Sequence, residues 1–341
     1  MIEKANIGGG TTAAGMGHIA VMDDSPAQMH LCRRSQELWH ELIAEIGPDA
    51  EALHGGSTWI AEDEEEWQEC LRKQSLYSEW GVPNQLWDQK KLRESEPELA
   101  HDLLGAFHLP ADHVVYQPRC ARWLADRAVD RGGKIKQGSV CRVESGAISL
   151  ENGEQIQADH VVVATGALTD LLPEWLHIRP RKGHLMITPK GMPLCASQLI
   201  ELGYLKSAHG HSDTSVAFNL QPRPHGQNLL GSSRQFSDIS KVCSAEILHQ
   251  MVMRAMRYIP RIADVPMIRA WTGFRPCTHD HLPVVGRDPF DDAIHWAVGH
   301  EGLGITTSLA TAELIAHGIL GTSPPIDPQP YLPNRMVSHA A

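Results

Sequence analysis

Residues 294–320 read IHWAVGHEGLGITTSLATAELIAHGIL, and this stretch predicts the fold more clearly than any other part of the sequence. Residues 294–298 form an apolar run typical of a buried strand, and the Gly-x-x-Gly-x-Gly spacing that follows lets the backbone approach a ligand. A helix beginning near Gly304 would present unpaired N–H groups and partial positive charge to an anion. The stretch therefore indicates an anion-binding strand, loop and helix, with an unliganded tight turn as the alternative. The predicted apolar face of the helix comprises Ile305, Leu309, Ala312, Ala316 and Ile319.

A second strand with a small-residue end lies at residues 160–167. The run His160-Val161-Val162-Val163-Ala164 is continuous and β-branched, as in strands buried on both faces of a parallel sheet. It ends in Thr165-Gly166-Ala167, at the point where a doubly wound sheet opens its ligand crevice. This pattern predicts either an approach of Gly166 to a ligand or an ordinary turn of small residues.

The remaining periodicities predict a mixed α/β protein. Ser25-Pro26-Ala27-Gln28 combines an N-cap, a first-turn proline and a capping-box glutamine, and the helix that follows should end at Gly47-Pro48. Glu151-Asn152-Gly153-Glu154 centres on the Asn-Gly pair favoured in tight hairpins, so the strands around it should form a small antiparallel meander. Further strands are predicted at 57–61, 185–188, 214–220 and 228–231, and further helices at 62–81, 119–130 and 244–258.

Composition excludes several classes of protein. Of the 341 residues 42% are hydrophobic and 21% charged, and the net charge of −11 argues against nucleic acid or an anionic membrane surface as the main partner. We find neither a signal peptide nor an apolar run of about 20 residues, so a soluble protein is predicted. Seven cysteines without a C-x-x-C pair and 20 histidines without H-E-x-x-H spacing indicate no metal site, and free thiols suit a reducing cytoplasm.

The N-terminal segment Gly8-Gly9-Gly10-Thr11-Thr12-Ala13 matches the dinucleotide-binding pattern G-x-G-x-x-A, but its context argues against that function. The pattern needs a buried strand before it, whereas residues 1–7 include charged and polar side chains. Gly17 follows too soon to leave room for a crossover helix of at least about ten residues. Glu3 is better interpreted as the carboxylate at the end of the second strand of such a unit, where it accepts hydrogen bonds from the ribose hydroxyls. The alternative interpretation is an exposed carboxylate near the chain terminus.

Arg275 is the candidate for binding a carboxylate. It lies in the segment WTGFRPCT, residues 271–278, between a glycine and a proline and beside apolar runs. A guanidinium in that setting suits bidentate binding of a carboxylate, because its planar fork matches the two oxygens. A structural ion pair is the alternative interpretation of this arginine.

Together these segments resemble the FAD-dependent D-amino acid oxidase-like family, which includes glycine oxidase, sarcosine oxidase and D-amino acid dehydrogenases. Residues 201–206 and 300–306 are most similar to the D-amino acid and cyclic imino acid dehydrogenase branch. The implied fold is an α/β protein with a Rossmann-like FAD-binding domain and an interleaved mixed-sheet substrate domain. The resemblance rests on the order and spacing of residues 2–17, 181–185, 231–233, 273–286 and 299–306. The implied boundaries are 1–50, 113–180 and 270–325 for the FAD-binding domain, 51–112 and 181–269 for the substrate domain, and 326–341 for a tail.

The resemblance also implies roles for individual residues. Glu3 would hold the adenosine ribose, and Val140 would border the adenine. Arg275 would clamp the substrate carboxylate. The residues that would line the flavin cleft or approach the cofactor are Thr11, Thr12, Gly17, Gly166, Gly302, Leu303, Gly304 and Ile305.

The implied reaction is FAD-dependent oxidation of the C–N bond of a small amino acid, of the D-amino acid, glycine or cyclic imino acid type. A hydride passes from Cα to flavin N5 and leaves an imino acid, so no side-chain base is obligatory. Oxygen, a quinone and an electron-transfer subunit are the alternative electron acceptors. A homo-oligomer and a hetero-oligomer are both compatible with the family pattern.

The chain departs from the family pattern at its start. Family members begin with a strand, a G-x-G-x-x-G loop and a helix that hold the pyrophosphate, whereas Ile2-Glu3 match the end of the following strand, about 30 residues further on. We therefore expect a truncated product or a mis-assigned start, with poor flavin binding by this chain alone. A non-catalytic remnant or structural subunit is the alternative function. A NAD-dependent dehydrogenase is disfavoured, because the C-terminal glycine-rich helix belongs to the flavoenzyme pattern.

Overall fold

A computed structural model gives the fold of this chain and describes residues 1–166, 170–203, 214–236 and 238–337. The strands are β1 (Ile2–Glu3), β2 (His18–Ile19), β3 (Ser57–Ala61), β4 (Gln85–Asp88), β5 (Gly105–Leu109), β6 (His113–Val114), β7 (Lys136–Gln137), β8 (Val140–Glu144), β9 (Ala147–Leu150), β10 (Gln155–Gln157), β11 (Val161–Val163), β12 (Arg179–Ile187), β13 (Gln198–Glu201), β14 (Thr214–Pro222), β15 (Asn228–Gln235), β16 (Arg269–Cys277), β17 (Val284–Arg287) and β18 (Ile294–Val298). The α-helices are α1 (Thr11–Ala14), α2 (Pro26–Ile46), α3 (Glu64–Glu79), α4 (Gln89–Ser95), α5 (Gln117–Asp130), α6 (Ala245–Tyr258), α7 (Ser308–Leu320) and α8 (Asn334–Val337). Short 3₁₀ helices occupy Gly47–Ala50, Glu174–Leu176, Pro260–Asp264 and Gln329–Tyr331.

The chain forms two compact units, each assembled from segments that are distant in the sequence. Unit 1 comprises Met1–Ala50, Gln117–Arg181 and Phe274–Ala341, and unit 2 comprises Glu51–Tyr116 and Lys182–Gly273. Helices alternate with strands along the chain, and eight of the strands form a large mixed sheet, which confirms the predicted α/β fold class. In the described ranges, no helix combines the length and the apolar character needed to cross a bilayer.

Helix α2 of unit 1 follows the predicted local signals. Ser25 is the N-cap, and its Oγ accepts a hydrogen bond from Gln28 N at 3.1 Å. Pro26 occupies the first helical position, where a missing N–H costs nothing. The helix ends at Gly47, whose φ of 66° is in the left-handed region that favours glycine. The predicted bounds of this helix are therefore confirmed.

Helix α7 of unit 1 differs from its prediction in both its start and its buried face. It begins at Ser308, because residues 304–307 form turns instead of regular helix. Ala310 and Leu314 pack against Leu31 of α2 and Val285 of β17, and so does the predicted Ile319. Ala312 and Ala316 are exposed, so the predicted apolar face was wrong at these two positions. Packing against α2 and β17 selects the buried stripe. Arg34 and Glu313 join α2 to α7 through two N–O contacts of 2.8 and 2.7 Å.

The sheet that carries β18 has the order β11-β18-β17. β11 pairs with β18 in parallel, with Val161 opposite Ile294, and β17 pairs with β18 antiparallel. Val163 is buried in the cluster that contains Trp296, but Val162 is 46% exposed. The prediction that this strand is buried on both faces was therefore wrong. β11 lies at one end of the sheet order, and alternate side chains of a strand point to opposite faces.

Two smaller sheets also belong to unit 1. β8, β9 and β10 form the predicted antiparallel meander, and Gly153 takes a φ of 86° in the turn between β9 and β10. β1 pairs in parallel with β7. The segment predicted as a tail contacts this unit, because the Tyr331 hydroxyl donates to Ala27 O at 2.7 Å and Tyr331 is 1% exposed.

Unit 2 is built on one mixed sheet in the order β16-β12-β15-β14-β13-β3-β5-β4. β13 pairs in parallel with β3 and antiparallel with β14. One face of this sheet carries the main apolar core, in which α6 packs against β14 and the rings of Phe218 and Tyr258 stack at 4.6 Å. β3 has its predicted bounds, while β12 and β15 are longer than predicted because both continue as antiparallel partners within the sheet.

Candidate functional site

The loop between β18 and α7, residues 299–307, has a backbone path that requires glycine at its first position. Gly299 has a φ of 79°, and a Cβ on it would lie 2.6 Å from Cγ2 of Thr278. Glu301 N donates to Pro276 O at 2.9 Å, which joins the loop to the end of β16. The glycine and this hydrogen bond therefore hold the loop beside β16, the strand that carries Arg275, which is predicted to bind a carboxylate.

Four amides of this loop have no acceptor among the described residues. The N–H groups of Gly302, Gly304, Ile305 and Thr306 make no hydrogen bond to the part of the chain that the structure describes. Leu303 N, by contrast, donates within the loop. Unpaired amides before a helix are suited to bind an acceptor atom or an anion on a ligand. This arrangement supports the predicted ligand-binding loop over a simple turn.

The structure brings Arg275 to the same loop. A Cβ placed on Gly302 would lie 3.8 Å from both Cδ and Nε of Arg275, so the arginine side chain passes directly over this glycine. Thr11 Oγ1 donates to the carbonyl of Phe274 at 3.1 Å, and a Cβ on Gly166 would lie 4.0 Å from the same Thr11 oxygen. Four of the predicted site residues, from three distant segments, therefore meet in unit 1.

Glu301, next to Gly302, is held by two basic side chains. Its carboxylate contacts the guanidinium of Arg181, and its Oε2 lies 2.8 Å from Nδ1 of His281. The hydrogen bond that His281 donates to the Glu301 carboxylate raises the pKa of His281 above its ordinary value, against the opposing effect of burial. His281 is therefore more readily protonated in the folded protein than in the unfolded chain.

This ion pair predicts a pH-dependent contribution to stability. Because the pKa of His281 is raised on folding, the contribution is complete below the unfolded pKa and is lost as the pH rises through the folded pKa. We expect His281→Asn to lower the free energy of unfolding more at about pH 5.5 than at about pH 8.5. Denaturant unfolding at both pH values measures this difference. Asn tolerates the left-handed backbone of His281, and His177→Asn, at a φ of 44°, is the matched control for the backbone change. An equal loss at both pH values would contradict the assignment.

His300 supports the loop in its neutral form. Burial lowers its pKa to about 4, and Nε2 lies 3.0 Å from the hydroxyl of Thr311 on α7. Its Cβ would also lie 3.3 Å from a Cβ placed on Gly304. The histidine therefore packs under the loop and joins it to α7.

Gln117, which the sequence analysis missed, organises the predicted N-terminal part of the site. Its Nε2 donates to Thr12 O at 2.9 Å and to Gly15 O at 2.8 Å, so one amide closes the turn that contains α1. Gln117 is 5% exposed, and its Oε1 has no hydrogen-bond partner among the described residues. In the sequence, the position of Gln117 directly before Pro118 indicates only the start of helix α5 and gives no sign of this role.

Two further side chains fix the end of the loop, one at Ile305 and one beside Gly17. Trp39 of α2 donates from Nε1 to Ile305 O at 3.0 Å, and the Thr306 hydroxyl donates to His18 O at 2.8 Å. Gly17, directly before His18, is buried with a φ of 85°. No local signal in the sequence marks Trp39 for this contact, so its hydrogen bond to the loop is a finding of the structure.

Glu3 and Val140, predicted to contact adenosine, lie on strands separate from the 299–307 loop. Glu3 ends β1, and its Oε1 accepts a hydrogen bond from Ala5 N at 2.9 Å. Val140 begins β8 and is half-buried. Of the segments quoted for the resemblance, Ala167 and residues 204–206 lie outside the described residues.

A family model and known proteins match most of the length of this chain. A family model described as DAO, FAD dependent oxidoreductase, matches residues 1–317. The chain is 25% identical to glycine oxidase of Geobacillus kaustophilus over 332 residues, covering 93% of this chain and 85% of that protein.

Two solved structures share the fold. A crystal structure of glycine oxidase from Geobacillus kaustophilus has a TM-score of 0.85 at 24% identity, covering 97% of this chain and 90% of that one. A crystal structure of L-proline dehydrogenase from P. horikoshii has a TM-score of 0.85 at 23% identity, covering 99% and 91%.

Proposed function

Because this chain belongs to the DAO family of FAD-dependent oxidoreductases, we propose that it oxidises the C–N bond of a small amino acid to the imino acid. The substrate is of the D-amino acid, glycine or cyclic imino acid type. The relatives are named as a glycine oxidase and an L-proline dehydrogenase, and both names describe oxidation of an amino acid. The observation that carries the proposal is the position of Arg275 over the loop whose amides have no acceptor in the described chain.

The residues of unit 1 fit FAD. The amides of Gly302, Gly304 and Ile305 offer donors for acceptor atoms of a flavin ring. The buried Oε1 of Gln117, with no partner in the described ranges, offers an acceptor for a hydroxyl of the cofactor. Thr11, Thr12, Gly17, Gly166 and Leu303 complete the proposed flavin site, and Glu3 and Val140 are the proposed adenosine contacts.

Each side chain then has a defined task. When bound, FAD supplies the acceptor for the hydride that leaves the substrate Cα. Arg275 binds the substrate carboxylate and so orients the Cα–H bond, because a bidentate pair defines both position and rotation. Thr11 holds the Phe274 carbonyl and thereby the backbone on which Arg275 is mounted. The chain needs no side-chain base, since a neutral amine loses hydride directly.

The proposal is tested by flavin reduction in the absence of oxygen. The protein is loaded with FAD and mixed with glycine and with panels of D-, L-, cyclic imino and N-methyl amino acids, while flavin absorbance is recorded. We expect at least one member of the panel to bleach the flavin. Stoichiometric flavin that no member bleaches would contradict the proposal. Failure to bind FAD at all would favour the alternative of a non-catalytic structural subunit.

The electron acceptor is tested on the same reduced protein. We propose oxygen, a quinone or an electron-transfer subunit, and the three differ in what restores the flavin absorbance. Rapid recovery on adding air identifies an oxidase, and recovery only with a soluble quinone identifies a dehydrogenase. Recovery with neither indicates an electron-transfer subunit.

Gln117 provides a test of the cofactor site that does not depend on turnover. We expect Gln117→Leu to weaken FAD binding about tenfold or more, because the turn at Thr12–Gly15 loses two donated hydrogen bonds and the cofactor loses one acceptor. Titration of apoprotein with FAD, followed by flavin fluorescence, measures the change. Gln28→Leu is the matched control, since Gln28 is also a buried glutamine of unit 1 and contacts Cys32 within α2. Equal FAD affinity in both variants would remove Gln117 from the site.

A further inference from the structure

The guanidinium of Arg335, on α8, joins two segments of unit 1 that are distant in the sequence. Nε and Nη2 contact the carboxylate of Asp280 at 2.7 and 3.4 Å, and Nη2 also donates to the carbonyls of Leu282 and Pro283 at 2.7 and 3.0 Å. Nη1 donates to the carbonyl of Tyr331 at 2.8 Å. One side chain therefore fastens the loop between β16 and β17 to the segment that contains α8.

The segment that carries Arg335 is packed onto unit 1. Met336 is fully buried in the apolar cluster that contains Trp296. Leu332 approaches β17 so closely that a Cβ placed on Gly286 would lie 2.9 Å from its Cδ2. Because these contacts fix the backbone on both sides of residue 335, they also define where its guanidinium lies.

Residues 278–283, which we call the supporting loop, contact the glycine-rich loop between β18 and α7 at two points. Cγ2 of Thr278 lies 2.6 Å from a Cβ placed on Gly299, so Thr278 packs directly against that glycine. Nδ1 of His281 lies 2.8 Å from Oε2 of Glu301. The supporting loop therefore contacts the first and third residues of the loop whose amides have no acceptor in the described chain.

Asp280 and Arg335 form a partly buried ion pair, with 28% and 19% of their side chains exposed. Burial raises the pKa of Asp280, but hydrogen bonds, first among them the one from Arg335, lower it below its ordinary value. Removing one member of such a pair costs more than the pair contributes in net stability, because the other charge is left without its partner. Loss of Arg335 should therefore displace the supporting loop.

We infer that Arg335 is a positioning residue for cofactor binding. It holds the supporting loop, and the supporting loop holds the glycine-rich loop through Thr278 and His281. The amides of Gly302 and Ile305 are then already in place for a ligand, so binding does not have to order them. The inference rests on the proposed FAD site and adds a residue that controls this site from the segment around α8.

The first measurement is the titration of apoprotein with FAD. We expect Arg335→Met to bind FAD about tenfold more weakly than the wild type, because the supporting loop is no longer fastened. Arg335→Lys should recover part of the loss, since an ammonium keeps the charge but cannot reproduce the planar fork. Asp280→Asn, which keeps the carbonyl contacts of Arg335, should cause a smaller loss. The visible circular dichroism of the bound flavin should change in Arg335→Met, because the donors around the flavin ring are displaced.

A double-variant cycle tests whether Arg335 acts through His281. His281→Asn alone should weaken FAD binding. The double variant should bind FAD no more weakly than Arg335→Met, since the supporting loop is already displaced in that variant. Losses of affinity that multiply in the double variant would show two independent effects and overturn the inference.

Arg223→Met is the matched control. Arg223 of unit 2 likewise combines an ion pair, to Glu51 at 2.9 Å, with a hydrogen bond donated to a carbonyl, that of Val115 at 3.2 Å. Its loss should lower the melting temperature and leave the FAD affinity and the flavin circular dichroism unchanged. An equal loss of FAD affinity in Arg223→Met and Arg335→Met would identify the effect as general destabilisation and overturn the inference.

Hydrogen exchange in the apoprotein separates the inference from the proposed function. The amides of Glu301 and Leu303 are hydrogen-bonded in the folded chain, and they should exchange faster in Arg335→Met than in the wild type or in Arg223→Met. Faster exchange with an unchanged FAD affinity would show that Arg335 holds the loop but that the loop does not bind FAD, which contradicts the proposed function. Unchanged exchange together with an unchanged affinity would overturn the inference and leave the proposed function intact.

Discussion

Arg275→Ala should retain bound FAD and lose about 10²–10³-fold in kcat/KM. The guanidinium passes over Gly302 and is mounted on the backbone that Thr11 holds. Its loss removes the bidentate partner of the substrate carboxylate. The enzyme then binds the substrate more weakly and no longer fixes the orientation of the Cα–H bond. Arg275→Lys should recover only part of the loss, because an ammonium cannot reproduce the planar fork.

Steady-state kinetics with a substrate found in the anaerobic panel measures this loss, and flavin absorbance verifies that the cofactor is retained. Arg269→Ala is the matched control, since Arg269 lies on the same strand β16, is exposed and stacks on Trp271 at 5.6 Å. Normal turnover by Arg275→Ala with full flavin would identify this arginine as a structural residue.

Gly302→Val should fold normally and bind FAD at least about tenfold more weakly than the wild type. Gly302 is exposed in this chain, and a Cβ there would meet only Arg275, at 3.8 Å, so the protein itself tolerates a side chain. A bulky side chain would instead occupy the space beside the amides of Gly304 and Ile305. Cofactor binding should therefore be damaged before folding.

Flavin per chain and the melting temperature of the apoprotein measure these two effects separately. Gly318→Val is the matched control, because a Cβ on Gly318 of α7 would meet no atom within 4 Å. Its flavin content should equal that of the wild type. If Gly302→Val also keeps one flavin per chain, the loop is a turn without a role in cofactor binding.

Elements whose ends are marked by backbone chemistry were predictable from the sequence. β3 and β18 have the predicted bounds, and α2 begins after Ser25 and ends at Gly47. An N-cap hydroxyl, a first-turn proline and a left-handed glycine act within a few residues of the chain. No distant partner is needed to recognise them.

The buried side of an element was less predictable. The spacing in α7 predicted a buried Ala312 and Ala316, and the run in β11 predicted a buried Val162, but all three are exposed. α7 is covered by α2, and β11 is paired on one side by β18. Apolar periodicity locates the buried face of an element only where polar residues separate the apolar positions. Neither segment has enough polar residues for that.

Part of the candidate site also depended on residues without a sequence signal. Gln117 and Trp39 occur as ordinary members of α5 and α2, yet their side-chain N–H groups reach the carbonyls of Thr12, Gly15 and Ile305. Their contribution follows from where two helices place one side chain each. A glutamine or a tryptophan at a helical position carries no mark of such a contact.

The α/β class, the glycine-rich loop before α7 and the arginine between a glycine and a proline could all be recognised in the sequence, because they are properties of short segments. The meeting of Thr11, Gly166, Arg275 and Gly302, and the lack of acceptors for the loop amides in the described chain, became evident only from the folded chain. The fold likewise shows which buried side-chain atoms, such as Oε1 of Gln117, have no hydrogen-bond partner among the described residues. Proximity between distant segments, and the burial that results, depend on how whole elements pack, and no local pattern of residues encodes that packing.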